Sequence, residues 1–434
     1  MKKTIGFIVI LAAMAFALFS LKGSFKEYKV DVKDEVLKSQ ILFKGLSNAV
    51  DFTKDNDGNY YVAFKDRIQY IDKAGKAHNI FTKKGLSITS LDCNNEVLYY
   101  ASGTFVYSYN LVTKENKEII KGIPNYGDYN KSLIKINEDY LFVTIGSATN
   151  SGVVGPDNLW LGNYPQNHDI SPKSITVKGT VFGDIKTGSF STYQTENKKG
   201  EIIAGHVIGN SSIIIYNLKT GAQGNFAWGI RNMKGIDFNS EGKILVTVGG
   251  MEERGLRPVN GDSDYIYQIK KNTWYGFPDY TGGDPITSPK FKDTASKVIP
   301  FILANHHTTN PPAPIYQHNA VDSLESLTID KKGMIGDIDC IYFYEKNDNS
   351  IYSLSKIGAL KKKVLFEGGS DISSMKFFDN LEVLDSKSGF LLSIKKNVSN
   401  DLISGKERLS YYLLTIVVTL IITILVALRK KTRI

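Results

Sequence analysis

Residues 228–285 read WGIRNMKGIDFNSEGKILVTVGGMEERGLRPVNGDSDYIYQIKKNTWYGFPDYTGGDP, and the first half of this stretch decides the fold. The apolar run IDF meets the polar turn NSEG, then KILVTV, a polar loop and the alternating run YIYQI. Asn, Asp and Gly tolerate the positive φ of a tight hairpin, while Val, Ile, Tyr and Phe fill pleated strands, so consecutive antiparallel strands are predicted. The same grammar recurs outward along the chain in FTKDNDGNYYVAFKDRIQYID, LDCNNEVLYYASGTFVYSYNL, IKINEDYLFVTIG and MKFFDNLEVLDSKSGFLLSI. Its turns fall at Gly58, Asn95, Asp139, Gly200, Gly242 and Asn380, about 40 to 60 residues apart except for one long gap. That period suits four-stranded propeller blades with uneven loops.

No helical periodicity interrupts residues 50–396, so this region is expected to be all-β. It holds more than twenty strand-like segments. Two packed sheets do not usually hold so many strands, which favours a propeller over a sandwich. An early strand near 41–46 is expected to close the ring against the last blade. Two insertions, 148–183 and 281–323, break the rhythm and are rich in Pro, Gly, Asn and His. Ordered loops of that length in a compact domain tend to carry function.

Two apolar runs frame the domain. Residues 5–21 follow Lys2 and Lys3 and read, within 1–23, as a signal peptide or signal anchor. Residues 411–428 carry no charge and rise about 27 Å as a helix, close to the hydrocarbon thickness of a bilayer. They are expected to span the membrane, with 397–410 as a juxtamembrane linker and the basic tail 429–434 inside. The expected location is therefore the cell membrane, with the domain on its extracytoplasmic side. Of the net charge of +9, six units come from Lys2, Lys3, Arg429, Lys430, Lys431 and Arg433. The rest alternates in sign, which argues against a nucleic-acid partner. Cys93 and Cys340, 247 residues apart, are not expected to pair.

The segments GIRN (229–232), RGLRPV (254–259), the acidic pair Asp262 and Asp264, and WYGFPDYTGGDP (274–285) follow an order and spacing that resemble the glucose/sorbosone dehydrogenase family. IGSATNSGVVGPDNLW (145–160) is similar to its sorbosone-dehydrogenase-like branch. The resemblance covers 41–396 and implies a six-bladed β-propeller that in catalytic relatives holds pyrroloquinoline quinone and calcium. It implies that Arg231 and Asn232 lie against the quinone's reactive carbonyls, where a fixed guanidinium stabilises charge that develops as hydride arrives. Arg257 joins them as a cofactor-binding candidate, and Gly255, Pro258 and Asp264 are the candidates for calcium, which takes six to eight oxygen ligands.

One departure bears on the general base. The family carries a His in a D-H-x-G-G-x-L pattern, whereas this chain has DYNKSLIKI with Asp128 and Tyr129 at the matching place. A Tyr titrates near 10 and is a poor base at neutral pH. The catalytic candidates are therefore Arg231, Tyr129 and His168, the last as a displaced base. The HH pair 306–307 with His318 lacks a zinc spacing. Two readings follow: a membrane-anchored quinone-dependent oxidoreductase acting on a sugar or polyol and passing electrons to an acceptor, or a propeller that recognises a glycan, peptide or protein after losing its base. Fold alone does not separate them.

Overall fold

The computed structural model describes residues 28, 30–366 and 368–397. Six antiparallel sheets follow one another along this chain and form a closed ring. Blade 1 comprises Asp51–Lys54, Tyr60–Ala63, Arg67–Ile71 and Ala77–Thr82. Blade 2 comprises Ile88–Asn94, Val97–Ser102, Phe105–Asn110 and Asn116–Lys121. Blade 3 has Ile134–Asn137, Tyr140–Ile145, Ser212–Asn217 and Gln223–Trp228, and blade 4 has Met233–Phe238, Ile244–Val248, Tyr265–Ile269 and Tyr316–Gln317. Blade 5 has Leu324–Asp330, Cys340–Glu345, Ser350–Leu354 and Leu360–Phe366, with Val30–Val32 added at its rim. Blade 6 has Ile372–Phe377, Leu381–Asp385 and Phe390–Lys396, completed by the N-terminal strand Leu37–Lys44. The expected closure of the ring by an early strand is thus present.

Burial grades outward from the axis. The second strands Tyr60–Ala63, Ile244–Val248, Cys340–Glu345 and Leu381–Asp385 are buried at every position, because neighbouring blades cover both of their faces. The rim strand Ala77–Thr82 has no fully buried residue. Six apolar clusters each fill the gap between adjacent blades, and three smaller ones lie under the loops of blades 3 and 4.

Polar clasps join the inner strands. Asp51 accepts from Leu91 N at 2.7 Å and Ser374 Oγ at 2.7 Å, linking blade 1 to blades 2 and 6. Asp92 accepts from Ile136 N of blade 3 at 2.9 Å, and Asp237 from Ile329 N of blade 5 at 3.0 Å. Lys135 of blade 3 lies 3.2 Å from Asp237. These buried acids are satisfied by the next blade, as buried charges must be.

The predicted turns at Gly58, Asn95, Asp139, Gly242 and Asn380 join first to second strands. Gly200 does not: it lies in the small hairpin Ile175–Thr176 with Ile202–Ile203, inside an insertion. The insertions also run longer than predicted, from 146 to 211 and from 270 to 315. Cys93 and Cys340 are unpaired, as expected. No helix among the described residues is long and apolar enough to cross a membrane, and the runs 5–21 and 411–428 lie outside them.

Candidate active site

The strand order directs the chemistry to one face of the ring. Within each antiparallel blade, the connection between second and third strands emerges at the same end as the connection to the next inner strand. Loops 123–133, 146–211, 229–232, 249–264 and 318–323 therefore share a face. The chain after Tyr265–Ile269 rejoins that face because Thr273–Trp274 runs parallel to Gln223–Trp228, carrying 275–300 up beside blade 3.

Arg231 is the centre of this face, at 4% exposure. Gly229 precedes it with φ +73°, and a Cβ there would lie 2.4 Å from Trp274, so the turn that aims Arg231 needs glycine. The Arg231 guanidinium donates to Asn150 O at 2.8 Å, Asn150 Oδ1 at 2.7 Å, Gly249 O at 3.2 Å and Glu252 Oε1 at 2.8 Å, and also to the Tyr129 hydroxyl. Its carbon stands 4.2 Å from the centre of the Tyr129 ring. Tyr129 in turn donates to Glu252 Oε1 at 2.5 Å.

Arg254 closes the cluster from outside. It donates to Glu252 Oε2 at 2.9 Å, Asp157 Oδ2 at 2.6 Å and the Tyr129 hydroxyl at 2.7 Å, and lies 2.8 Å from Asp128 Oδ2. Asp128 also accepts from Trp160 Nε1 at 2.8 Å and Asn158 Nδ2 at 2.9 Å. Asp157 Oδ1 is buried without a partner.

This network fixes the protonation states. Burial works against charge on Glu252, yet Arg231, the Tyr129 hydroxyl and Arg254 outweigh it and bring its pKa down to about 2. Burial pushes Tyr129 well above its ordinary value; the two arginines oppose this and Glu252 reinforces it. Tyr129 is thus held protonated and cannot serve as a base near neutrality. Asp169 lies fully enclosed behind the cluster, accepting from Ala148 N at 2.7 Å and Thr149 Oγ1 at 2.5 Å. Burial pushes its pKa up to about 6 against those hydrogen bonds.

The remaining candidates separate. His168 Nδ1 lies 3.0 Å from Asp169 O; a carbonyl only accepts, so in the neutral ring Nδ1 carries the proton and Nε2 is the free base. Asn232 is half-buried next to Arg231, its carbonyl taking the Gly249 N–H at 2.8 Å. Arg257 is turned inward at 2% exposure, pairing with Asp279 at 2.8 Å and donating to the carbonyls of Ser151, Pro278 and Pro300. It braces the two insertions, and no N–H of its guanidinium tip points to a ligand.

Asp264 is spent as well: its carboxylate accepts from the backbone of Gly250, Asp322, Ser323 and Leu324 at 2.7–3.0 Å. Gly255 belongs to a different contact, packing on the Asp157 carboxylate. Of the calcium candidates Gly255, Pro258 and Asp264 only Asp264 has a side-chain oxygen, and that carboxylate is taken; no group of three or more acidic, His or Cys side chains suited to a metal occurs among the described residues. Trp274 and Tyr275 are a packing corner: Trp274 Nε1 bonds Phe277 O and Tyr275 bonds Gln268 O. His306 packs on Trp274 and bonds Asp279 at 2.9 Å. Asn150 and Asp157 went unmarked in the sequence, their one signal being the density of Asn and Asp in 148–158; Glu252 and Arg254 stand out in the charged loop 251–264, where internal pairing of acids and arginines is the plainer expectation.

No protein-family model matches the chain, and no curated protein matches it by sequence. Solved structures do. The holo PQQ domain of pyranose dehydrogenase from Coprinopsis cinerea is 13% identical, with 85% of this chain and 98% of that one covered at TM-score 0.55. The calcium structure of a Trichoderma reesei carbohydrate-active enzyme of family AA12 is 14% identical, with 86% and 98% covered at TM-score 0.58. The PQQ-bound aldose sugar dehydrogenase of Streptomyces coelicolor is 12% identical, with 83% and 98% covered at TM-score 0.51. Identity this low carries the fold alone, and in fold this chain is a six-bladed propeller similar to those of PQQ-dependent sugar dehydrogenases.

Proposed function

We propose that this protein is an oxidoreductase of the sugar dehydrogenase kind, nearest in its motifs to the sorbosone-dehydrogenase-like branch, acting on a sugar or polyol at the loop face around Arg231. The observation that supports the reading is the convergence of Tyr129, Asn150 and Glu252, from three separate loops, on the buried guanidinium of Arg231, which stands on a fourth. The cluster is a preformed charged site on the loop face, and its guanidinium reaches a substrate only where Glu252 gives up Arg231. His168 is the proton acceptor in this reading, because its Nε2 is free while the Tyr129 hydroxyl is held protonated.

A bound quinone would supply hydride acceptance. The residues as folded do not fit it against Arg231: the guanidinium is spent on Asn150, Gly249, Tyr129 and Glu252. A carboxylated cofactor would have to displace Glu252. Calcium likewise finds no open oxygen cluster at Asp264. The test is absorbance titration of the full-length protein with pyrroloquinoline quinone and calcium, followed by dye reduction over a panel of sugars. Glu252→Gln should tighten quinone binding about tenfold, and His168→Ala should abolish turnover while binding persists. No binding and no turnover in either wild type or Glu252→Gln would overturn the oxidoreductase reading.

The same proposal includes anchoring by 411–428, with the propeller outside the membrane. Retention in the membrane fraction at high pH, and protection of the C-terminus from external protease, are the expected results.

A further inference from the structure

A groove of ≈ 560 Å³ lies between the outer strand of blade 4 and the middle of blade 5, a volume ordinary for small-ligand sites. Phe343 is its floor. Tyr316 and Tyr352 flank that ring, with centroids 5.6 and 6.0 Å from it. Gln317 and Asn319 stand exposed on the rim. His318 is pinned between them, Nδ1 at 3.1 Å from the Tyr316 hydroxyl and Nε2 at 3.3 Å from Ser323 Oγ.

No Asp, Glu, Lys or Arg lines this groove. The nearest charges are engaged elsewhere: Asp348 takes the Tyr352 hydroxyl at 2.5 Å and Lys362 at 2.5 Å, and Glu345 beneath accepts from Ser323 Oγ. An anion would find no unspent cation here. A wholly apolar ligand would strip water from the rim amides without replacing their hydrogen bonds. A neutral polyol satisfies both surfaces, laying C–H faces on the tyrosine rings and hydroxyls on Gln317 and Asn319.

We propose that this groove binds a neutral saccharide, with room for about two sugar rings, at a site separate from the Arg231 cluster. It opens beside the same loop face. Asp264 ties the two regions together, accepting from Gly250 N on the Glu252 loop and from Asp322 N and Ser323 N below the groove. Recognition here does not require the redox reading, so the two can fail separately.

Saturation-transfer NMR of the full-length protein with neutral mono- and disaccharides tests the proposal. Binding should weaken about tenfold in Tyr316→Ala and in Gln317→Ala, and stay unchanged in Lys219→Ala, an exposed position on a distant turn of blade 3. The exposed-rim variant Gln317→Ala guards against a folding artefact, with thermal melting as the control. Saccharide binding kept at wild-type strength in both groove variants would overturn the proposal. So would absence of binding, or preference for a proline-rich peptide over every saccharide tried.

Discussion

At the scale of single residues, the loop face is governed by which proton sits where. Glu252 is a carboxylate because two guanidiniums and a phenol face it, and Tyr129 is a phenol because burial disfavours its anion and Glu252 adds to that. Asp169 is the exception, since burial outweighs its hydrogen bonds and brings its pKa to about 6. A carboxyl whose folded pKa exceeds its unfolded value contributes stability that is complete below about pH 4 and is lost as pH rises through about 6. Asp169→Asn removes that loss. The variant should gain on wild type by roughly 3 kcal/mol between pH 4 and pH 7, measured as the difference of urea unfolding free energies. A difference that does not change with pH would mean the carboxyl is not perturbed. Tyr129→Phe should disturb the same cluster differently: Glu252 loses a donor, so its pKa rises, while Arg231 keeps its other acceptors.

At the scale of elements, Asp264 shows how a loop motif can be legible and its role not. The sequence marks 249–264 as an oxygen-rich loop with glycines, and oxygen-rich loops suit calcium. The fold instead spends Asp264 on four backbone N–H groups, fastening this loop to the entry of blade 5. Asp264→Ala would orphan three buried donors and one part-buried one and should cost more than about 3 kcal/mol, with Asp264→Asn recovering part. Chelation of the wild type should leave its Tm unchanged; a chelator-sensitive Tm would restore a metal to this loop. Five inter-strand turns were readable because short polar turns sit between short alternating strands, with Gly58, Asn95 and Gly242 at positive φ and Glu138, beside Asp139, taking that place in blade 3. The turn of blade 5 was not, because its nine residues, 331–339, hide Gly333 in a loop held by Asp330, which accepts from Met334 N and Ile335 N. The two arginines of RGLRP are alike in the sequence, and only packing decides that Arg254 faces the cluster while Arg257 turns inward to Asp279.

At the scale of the whole molecule, the ring is held by a strand borrowed from the beginning of the chain. Leu37–Lys44 pairs with Phe390–Lys396 in a register running from Leu37 opposite Lys396 to Lys44 opposite Phe390. Leu37 and Ile41 pack into the cluster between blades 5 and 6, so the strand seals apolar surface as well as a hydrogen-bonding edge. Without it, Phe390–Lys396 becomes an exposed apolar edge strand. Each inter-blade cluster depends on two blades, and the Asp51 clasp spans blades 6, 1 and 2. Loosening one seam therefore weakens its neighbours, and opening should be cooperative around the ring. A chain beginning after residue 44 should melt at least about 5 °C below wild type and aggregate through the freed edge, while wild-type unfolding follows a single transition by fluorescence and circular dichroism alike. An unchanged Tm in the shortened chain would mean that the inter-blade clusters and clasps hold the ring closed without this strand.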